Sequence, residues 1–139
     1  MGGPAIIDGA KCRGTDNFLT EPMAIDAVVD GGEPTPIEWP TCEHFFQAVK
    51  FDTEKGGPAT QQYIRAILET PGAGGAWSMG QSRAHPLRAD WEQVKGAAMY
   101  LAVKAKYAQH PALAEELMQT TGPIRAAPST SNWQVRAVR

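Results

Sequence analysis

The chain is short of every pattern that announces a disulfide scaffold, a metal centre or a membrane span. Its 139 residues hold two cysteines, Cys12 and Cys42, with no CxxC pair and no histidine at metal-ligand spacing. One disulfide is the most that two cysteines allow, and two reduced structural thiols are the expected state in an intracellular protein. His44, His85 and His110 stand far apart, two of them simply preceding prolines, and neither HxxxH nor HxH occurs. A zinc or iron site is therefore not expected. No apolar run approaches the roughly 18 residues a membrane span needs. The opening Met1-Gly2-Gly3-Pro4 has no basic n-region and no long apolar core follows, so no signal peptide is expected. A soluble, cytoplasmic protein is the reading. Charge of one sign is lacking too: 13 Lys and Arg against 15 Asp and Glu leave a formal net charge of −2. Without a general basic field, any nucleic-acid contact has to be local.

What is there fits one ordinary globular domain over residues 1–139, with 42% apolar and 20% charged residues. Ile25 and Val28-Val29, the breaker cluster of residues 31–36, and Ile37-Glu38-Trp39 predict two short strands around a turn. A helix is expected from about Thr41 to Phe51, opened by Pro40 and the Thr41 hydroxyl. Gly56-Gly57-Pro58 should end one element and start another, since proline suits a first helical turn. Tyr63, Ile64, Ile67 and Leu68 keep helical spacing up to Thr70. Residues 71–75, Pro-Gly-Ala-Gly-Gly, then read as a flexible connector; they match neither phosphate-binding glycine motif. Residues 87–109 give the longest helical signal, with Trp91, Val94, Lys95, Ala98, Leu101, Ala102, Ala105 and Tyr107 as its stripe. Residues 111–121 predict a further helix on Leu113 and Leu117, closed by Gly122-Pro123. The fold class expected is α+β, predominantly helical, with a few short strands.

Few residue sets carry chemistry. No serine sits in a GxSxG elbow and no cysteine in a protease context. Asp90 and Glu92 flank Trp91, but on a helix they point to different faces and read as helix-dipole partners of a core tryptophan. The stretch Trp39-Pro40-Thr41-Cys42-Glu43-His44-Phe45-Phe46-Gln47-Ala48-Val49-Lys50-Phe51 differs. Glu43 and Lys50 are nearly two helical turns apart, hence on one face and roughly 10 Å apart along the axis, with Gln47 between them. Such a pair is also what a solvated surface helix presents. Here aromatic residues flank it on nearly every side, so partial desolvation is expected. That raises a Glu pKa and lowers a Lys pKa, the direction acid and amine catalysis require.

Several ordered blocks resemble the NADAR (YbiA-like) family. They are Asn17-Phe18 with Glu21-Pro22, then Trp39-Pro40-Thr41-x-Glu43-His44-x-Phe46-Gln47-Ala48-x-Lys50-Phe51, and Ala76-x-x-Met79-Gly80. Leu87-Arg88-x-Asp90-Trp91-x-x-Val94-Lys95-x-x-x-Met99, Lys106-Tyr107-x-Gln109-His110-Pro111-x-Leu113, Leu117 and Thr121-Gly122 continue the match. The resemblance implies a compact YbiA-like domain and an N-glycosidase that cleaves the bond between ribose C1′ and a nitrogen. Substrates implied are ADP-ribose attached to guanine, on a nucleotide or nucleic acid, or a ribosylamino-pyrimidine of riboflavin synthesis. No cofactor, metal or membrane partner is implied. Glu43 would be the acid/base group and Lys50 an amine able to trap opened ribose as a Schiff base. Asn17, Phe18 and Trp39 would line the ribose and base pocket, with His44, Gln47 and Trp133 as further substrate-binding groups.

After about residue 122 the chain departs from the family pattern and is shorter. Trp133 keeps its place, but Arg125 stands where a Glu is usual, Thr130 where an Asp is usual and Gln134 where a Gly is usual. Two carboxylates that could orient ribose are thereby replaced, and an arginine at position 125 could pair with a phosphate. The tail leaves open a second reading, an ADP-ribose or nucleotide-binding module with weak or no catalysis. A purely structural helical domain would leave the matched blocks unexplained.

Overall fold

The computed structural model describes residues 5–7, 10–12, 16–17, 19–29, 32–119 and 124–125. Strands β1 (Ala5–Ile7) and β2 (Ala10–Cys12) form an antiparallel hairpin. β3 (Met23–Ala27) and β4 (Thr35–Trp39) form a second, registered from Met23 opposite Trp39 to Ala27 opposite Thr35. Its alternation puts Met23, Ile25 and Trp39 inward, while Gly32 takes the left-handed φ of 81° in the connection. Five helices follow: α1 (Cys42–Val49), α2 (Thr53–Glu69), α3 (Ala73–Gly80), α4 (Trp91–Gln109) and α5 (Pro111–Met118). Strand β5 (Ile124–Arg125) pairs with β1, giving the sheet order β2-β1-β5. The α+β, mainly helical expectation holds.

Helix α1 is the centre of the molecule. Thr41 caps it by accepting the His44 amide at 3.1 Å, and every residue from Cys42 to Ala48 is buried. Such a helix must be covered all round, and α2, α3 and α4 pack against it. The core joins Met23, Trp39, Phe45, Ile64, Ile67, Ala76, Trp91, Met99 and Val103. Ring contacts knit it together: Phe45 lies edge-on to Trp39 at 5.5 Å, Phe46 tilts over Trp91 at 5.0 Å, and Phe51 meets Tyr63 at 5.6 Å.

Three expectations need correction. Residues 71–75 are not a flexible connector. Gly72, at φ 78°, is the turn that admits the chain to α3, and the small residues Ala73, Ala76 and Gly80 let α3 lie close on α1. The longest helix begins at Trp91 rather than residue 87. Pro86 and Arg88 are taken up in backbone bonds to Asp52 and Lys50, and Leu87 bridges Phe51, so helix growth must wait for the Arg88–Asp90 turn. The buried stripe of α4 is also shifted: Leu101 is 47% exposed, while Met99, Val103 and Lys106 face inward. The Gly56-Gly57-Pro58 break is present as a kink inside α2, where Gly57 has φ 66° and ψ −156°.

Candidate active site

Glu43, Gln47 and Lys50 follow each other along one side of α1. Lys50 is the residue just past the helix, but its φ of −75° and ψ of −16° continue the helical path. Its carbonyl accepts the Arg88 amide at 2.9 Å, which anchors the backbone under the amine. Gln47 Nε2 donates to Glu43 Oε1 at 2.6 Å, and Lys50 Nζ donates to the Gly80 carbonyl at 3.0 Å. Glu43 is 2% exposed and Lys50 6%. Removal from water raises the Glu43 carboxyl above its ordinary range, only partly opposed by the Gln47 hydrogen bond and the Lys50 charge. Burial likewise lowers the Lys50 amine, and the neighbouring Arg83 guanidinium pushes it the same way against the pull of Glu43. Both groups move toward their neutral forms.

Gly80 is the floor of this arrangement. A Cβ there would lie 1.9 Å from Gln47 Oε1, so only glycine lets α3 approach and offer its carbonyl to Lys50. Gln47 Oε1 itself is buried without a hydrogen-bond donor among the described residues. A buried acceptor left unmatched is costly, and here it is pressed against the α-carbon side of Gly80.

Asn17 joins the site from the segment before β3. It is 2% exposed, and its carbonyl accepts the Glu43 amide at 3.2 Å. Helix α4 holds that segment by three side chains. The fully buried Lys106 donates to the Asp16 carbonyl at 3.2 Å, Gln109 pairs both ways with the Ala24 backbone, and His110 reaches the Pro22 carbonyl at 2.6 Å. Sequence reasoning passed over Lys106 and Gly80 as site-building residues, although both fell within the family-like blocks. Their value lies in long-range contacts that spacing does not display.

His44 is wholly buried and points elsewhere. Nε2 donates to the Thr70 carbonyl at 2.9 Å and Nδ1 meets the Thr41 hydroxyl at 2.8 Å. A carbonyl can only accept, so Nε2 carries a proton; burial lowers the ring's pKa, opposed only in part by the Thr70 bond, and favours the neutral Nε2–H form. Trp39 is also fully buried, its Nε1 donating to the Ile25 carbonyl at 3.2 Å. It lines a cleft of about 700 Å³ together with Phe45, Ala48, Phe51, Arg88 and Val94. By helical geometry that cleft lies on the opposite face of α1 from Glu43, Gln47 and Lys50. The structure thus gathers Asn17, Glu43, Gln47 and Lys50, and places His44 and Trp39 apart from them. Phe18, Thr130, Trp133 and Gln134 lie outside the described residues, and Arg125 is placed only by its backbone pairing with Ile6. Cys42 is a free buried thiol, its burial raising its pKa. Among the described residues no group of three or more His, Cys, Asp or Glu side chains could hold a metal ion, and no helix is long and apolar enough to cross a membrane.

This mainly helical α+β domain has known counterparts. The NADAR domain family matches residues 12–136. The chain belongs to the NADAR domain family. It is 35% identical over 116 residues to the N-glycosidase YbiA of Escherichia coli strain K12, covering 84% of this chain and 62% of that protein. It is 32% identical over 101 residues to the chloroplastic riboflavin biosynthesis protein PYRR of Zea mays, covering 68% of this chain and 16% of that one. The NMR structure of the E. coli protein YbiA superimposes with a TM-score of 0.55 at 37% identity, covering 76% of this chain and 53% of that chain. The chain thus spans about three fifths of the length of the YbiA relatives, 62%.

Proposed function

We infer that the protein is an N-glycosidase of ribosylated bases, with Glu43 as the acid and Lys50 as the amine that receives ribose. The observation that carries this reading is the burial of both groups on one helix face, each displaced toward its neutral form. The names of the relatives support the reaction class: the Escherichia coli relative and one from Nostoc punctiforme are called N-glycosidases.

The chemistry follows from those two forms. A protonated Glu43 gives its proton to the departing base nitrogen as the C1′–N bond breaks, which relieves the charge the base would otherwise carry away. The neutral Lys50 lone pair forms a bond to C1′. Loss of a proton from Nζ and ring opening at O4′, which takes up a proton, leave a protonated imine. Water, deprotonated by the Glu43 carboxylate, then adds to C1′ and frees the sugar and the amine. Gln47 hydrogen-bonds the Glu43 carboxylate when it is ionised and keeps it oriented. Asn17 closes the same end of the helix, and His44 acts by fixing the first turn. The substrate class proposed is an ADP-ribosylated guanine or a ribosylamino-pyrimidine. The proposed unit is a single domain whose residues after about 122 diverge.

The test is direct. The protein is incubated with ADP-ribosylated guanosine and with a ribosylamino-pyrimidine phosphate, and free ADP-ribose or ribose phosphate is measured. Turnover of one of them, reduced at least 100-fold in both Glu43→Gln and Lys50→Ala, is the expected result, since removal of a general acid alone is worth about that much. Turnover unchanged in both variants rejects the roles. Tight binding of ADP-ribose without release of base from either substrate favours the binding-module reading, which the altered residues 125 and 130 motivate.

A further inference from the structure

Beside Lys50 stands a second cation that the reaction above does not use. Arg83 lies in the turn after α3, and its side chain is exposed. Its Nη1 donates to the carbonyls of Gly80 and Ser82 at 3.3 and 2.9 Å. The Gly80 carbonyl is the one that Lys50 Nζ also holds, at 3.0 Å. Two atoms within 3.0 and 3.3 Å of one oxygen are at most 6.3 Å apart. The guanidinium is therefore within one sugar's reach of the amine. Among the described residues Arg83 has no carboxylate partner, whereas Arg65, Arg88 and Lys95 are each paired. Its remaining N–H groups have no acceptor among the described residues.

The other charges near Lys50 are Glu43 and the Glu92–Lys95 ion pair. Glu92 and Lys95 offset each other, so an anion arriving beside Lys50 meets a local excess of positive charge. A planar fork of donors suits a phosphate better than a neutral hydroxyl.

We propose that Arg83 is a specificity-determining residue that binds the phosphate of a 5′-phosphorylated riboside while C1′ lies at Lys50. This rests on the N-glycosidase reading of the Glu43–Lys50 face and adds to it the group that holds the substrate's 5′-phosphate. The bland alternative is that Arg83 only caps the carbonyl end of α3. A cap contributes to stability and is indifferent to the substrate's phosphate.

The experiment pairs a ribosylamino-pyrimidine 5′-phosphate with its dephosphorylated counterpart, using the wild-type protein, Arg83→Ala and Arg83→Lys. In Arg83→Ala, KM for the phosphorylated substrate should rise about 10- to 100-fold with kcat nearly kept, the loss expected for one charge-assisted contact. KM for the unphosphorylated substrate should not move, and Arg83→Lys should restore part of the affinity. Equal loss on both substrates, or no loss on either, overturns the proposal. Binding of ribose 5-phosphate, followed by calorimetry, separates the two inferences. Binding that depends on Arg83 in a protein without turnover keeps the phosphate site and rejects the glycosidase. Turnover without Arg83-dependent binding does the reverse.

Discussion

Gly80→Ala is the substitution on which helix propensity and packing disagree most sharply. By propensity alone, replacing a helical glycine with alanine gains up to about 1 kcal/mol. The new methyl, however, would sit 1.9 Å from Gln47 Oε1, 2.5 Å from its Cδ and 3.0 Å from its Cβ. Either α3 moves off α1 or the Gln47 side chain leaves its place. Overpacking of this kind costs about 1–3 kcal/mol. Expelling Gln47 also breaks its 2.6 Å hydrogen bond to Glu43, and a bond to a carboxylate is worth about 1.5–3 kcal/mol. The net expectation is destabilisation by about 2–5 kcal/mol, a fall in Tm on the order of 10 °C for a domain of this size. Calorimetry or urea unfolding measures it. A double-mutant cycle makes the reasoning exposed to failure. In Gln47→Ala the clashing Oε1 and Cδ are gone, so Gly80→Ala should then cost under about 1 kcal/mol. Equal costs in the two backgrounds, or a gain in stability from Gly80→Ala alone, would refute the packing account.

Other outcomes follow from the same site. Because the folded protein holds the Glu43 proton more tightly than the unfolded chain, stability present at low pH is lost as pH rises through the raised Glu43 value. Glu43→Gln should therefore be more stable than wild type at neutral pH and lose that advantage below the ordinary carboxylate range. Lys50 has the opposite sign: its lowered value penalises the charged form, so Lys50→Met should gain most at neutral and low pH and nothing above the ordinary lysine range. Urea unfolding across pH checks both. Turnover should follow a bell-shaped pH profile set by the raised Glu43 and lowered Lys50 values. Because the acting forms are protonated Glu43 and neutral Lys50, Glu43→Gln should erase the fall at high pH and keep the loss at low pH where Lys50 is protonated. Thr41→Ala removes the α1 cap and the partner of His44 Nδ1, and should cost about 1–2 kcal/mol in denaturant unfolding.

The chain's local order was readable where a short-range rule governs it. The β3–β4 hairpin follows from a turn cluster between apolar runs, and the Thr41 cap from a hydroxyl before an apolar helix. Glu43 and Lys50 share a face because helical geometry requires it. Their burial was anticipated for the wrong reason. Phe45, Phe46 and Phe51 spend their rings on Trp39, Trp91 and Tyr63, and the charged face is covered by helices packed around α1 and by Gly80. The glycines of residues 71–75 were misread because flexibility and close packing ask for the same small side chains, and only the neighbouring helix distinguishes them. The start of α4 was misplaced because residues 86–88 are claimed by backbone bonds to a segment over thirty positions away. Lys106 illustrates the same limit, since nothing local marks a lysine that will be buried against the Asp16 carbonyl.

The central claim is that Lys50 is a nucleophilic amine in a buried acid–amine pair. Borohydride reduction during turnover of an ADP-ribosylated or ribosylamino substrate, followed by peptide mass mapping, tests it most directly. The account predicts a reduced ribosyl adduct on the peptide carrying Lys50, absent in Lys50→Ala and slowed in Glu43→Gln. Turnover with no adduct, or an adduct that persists in Lys50→Ala, would contradict it.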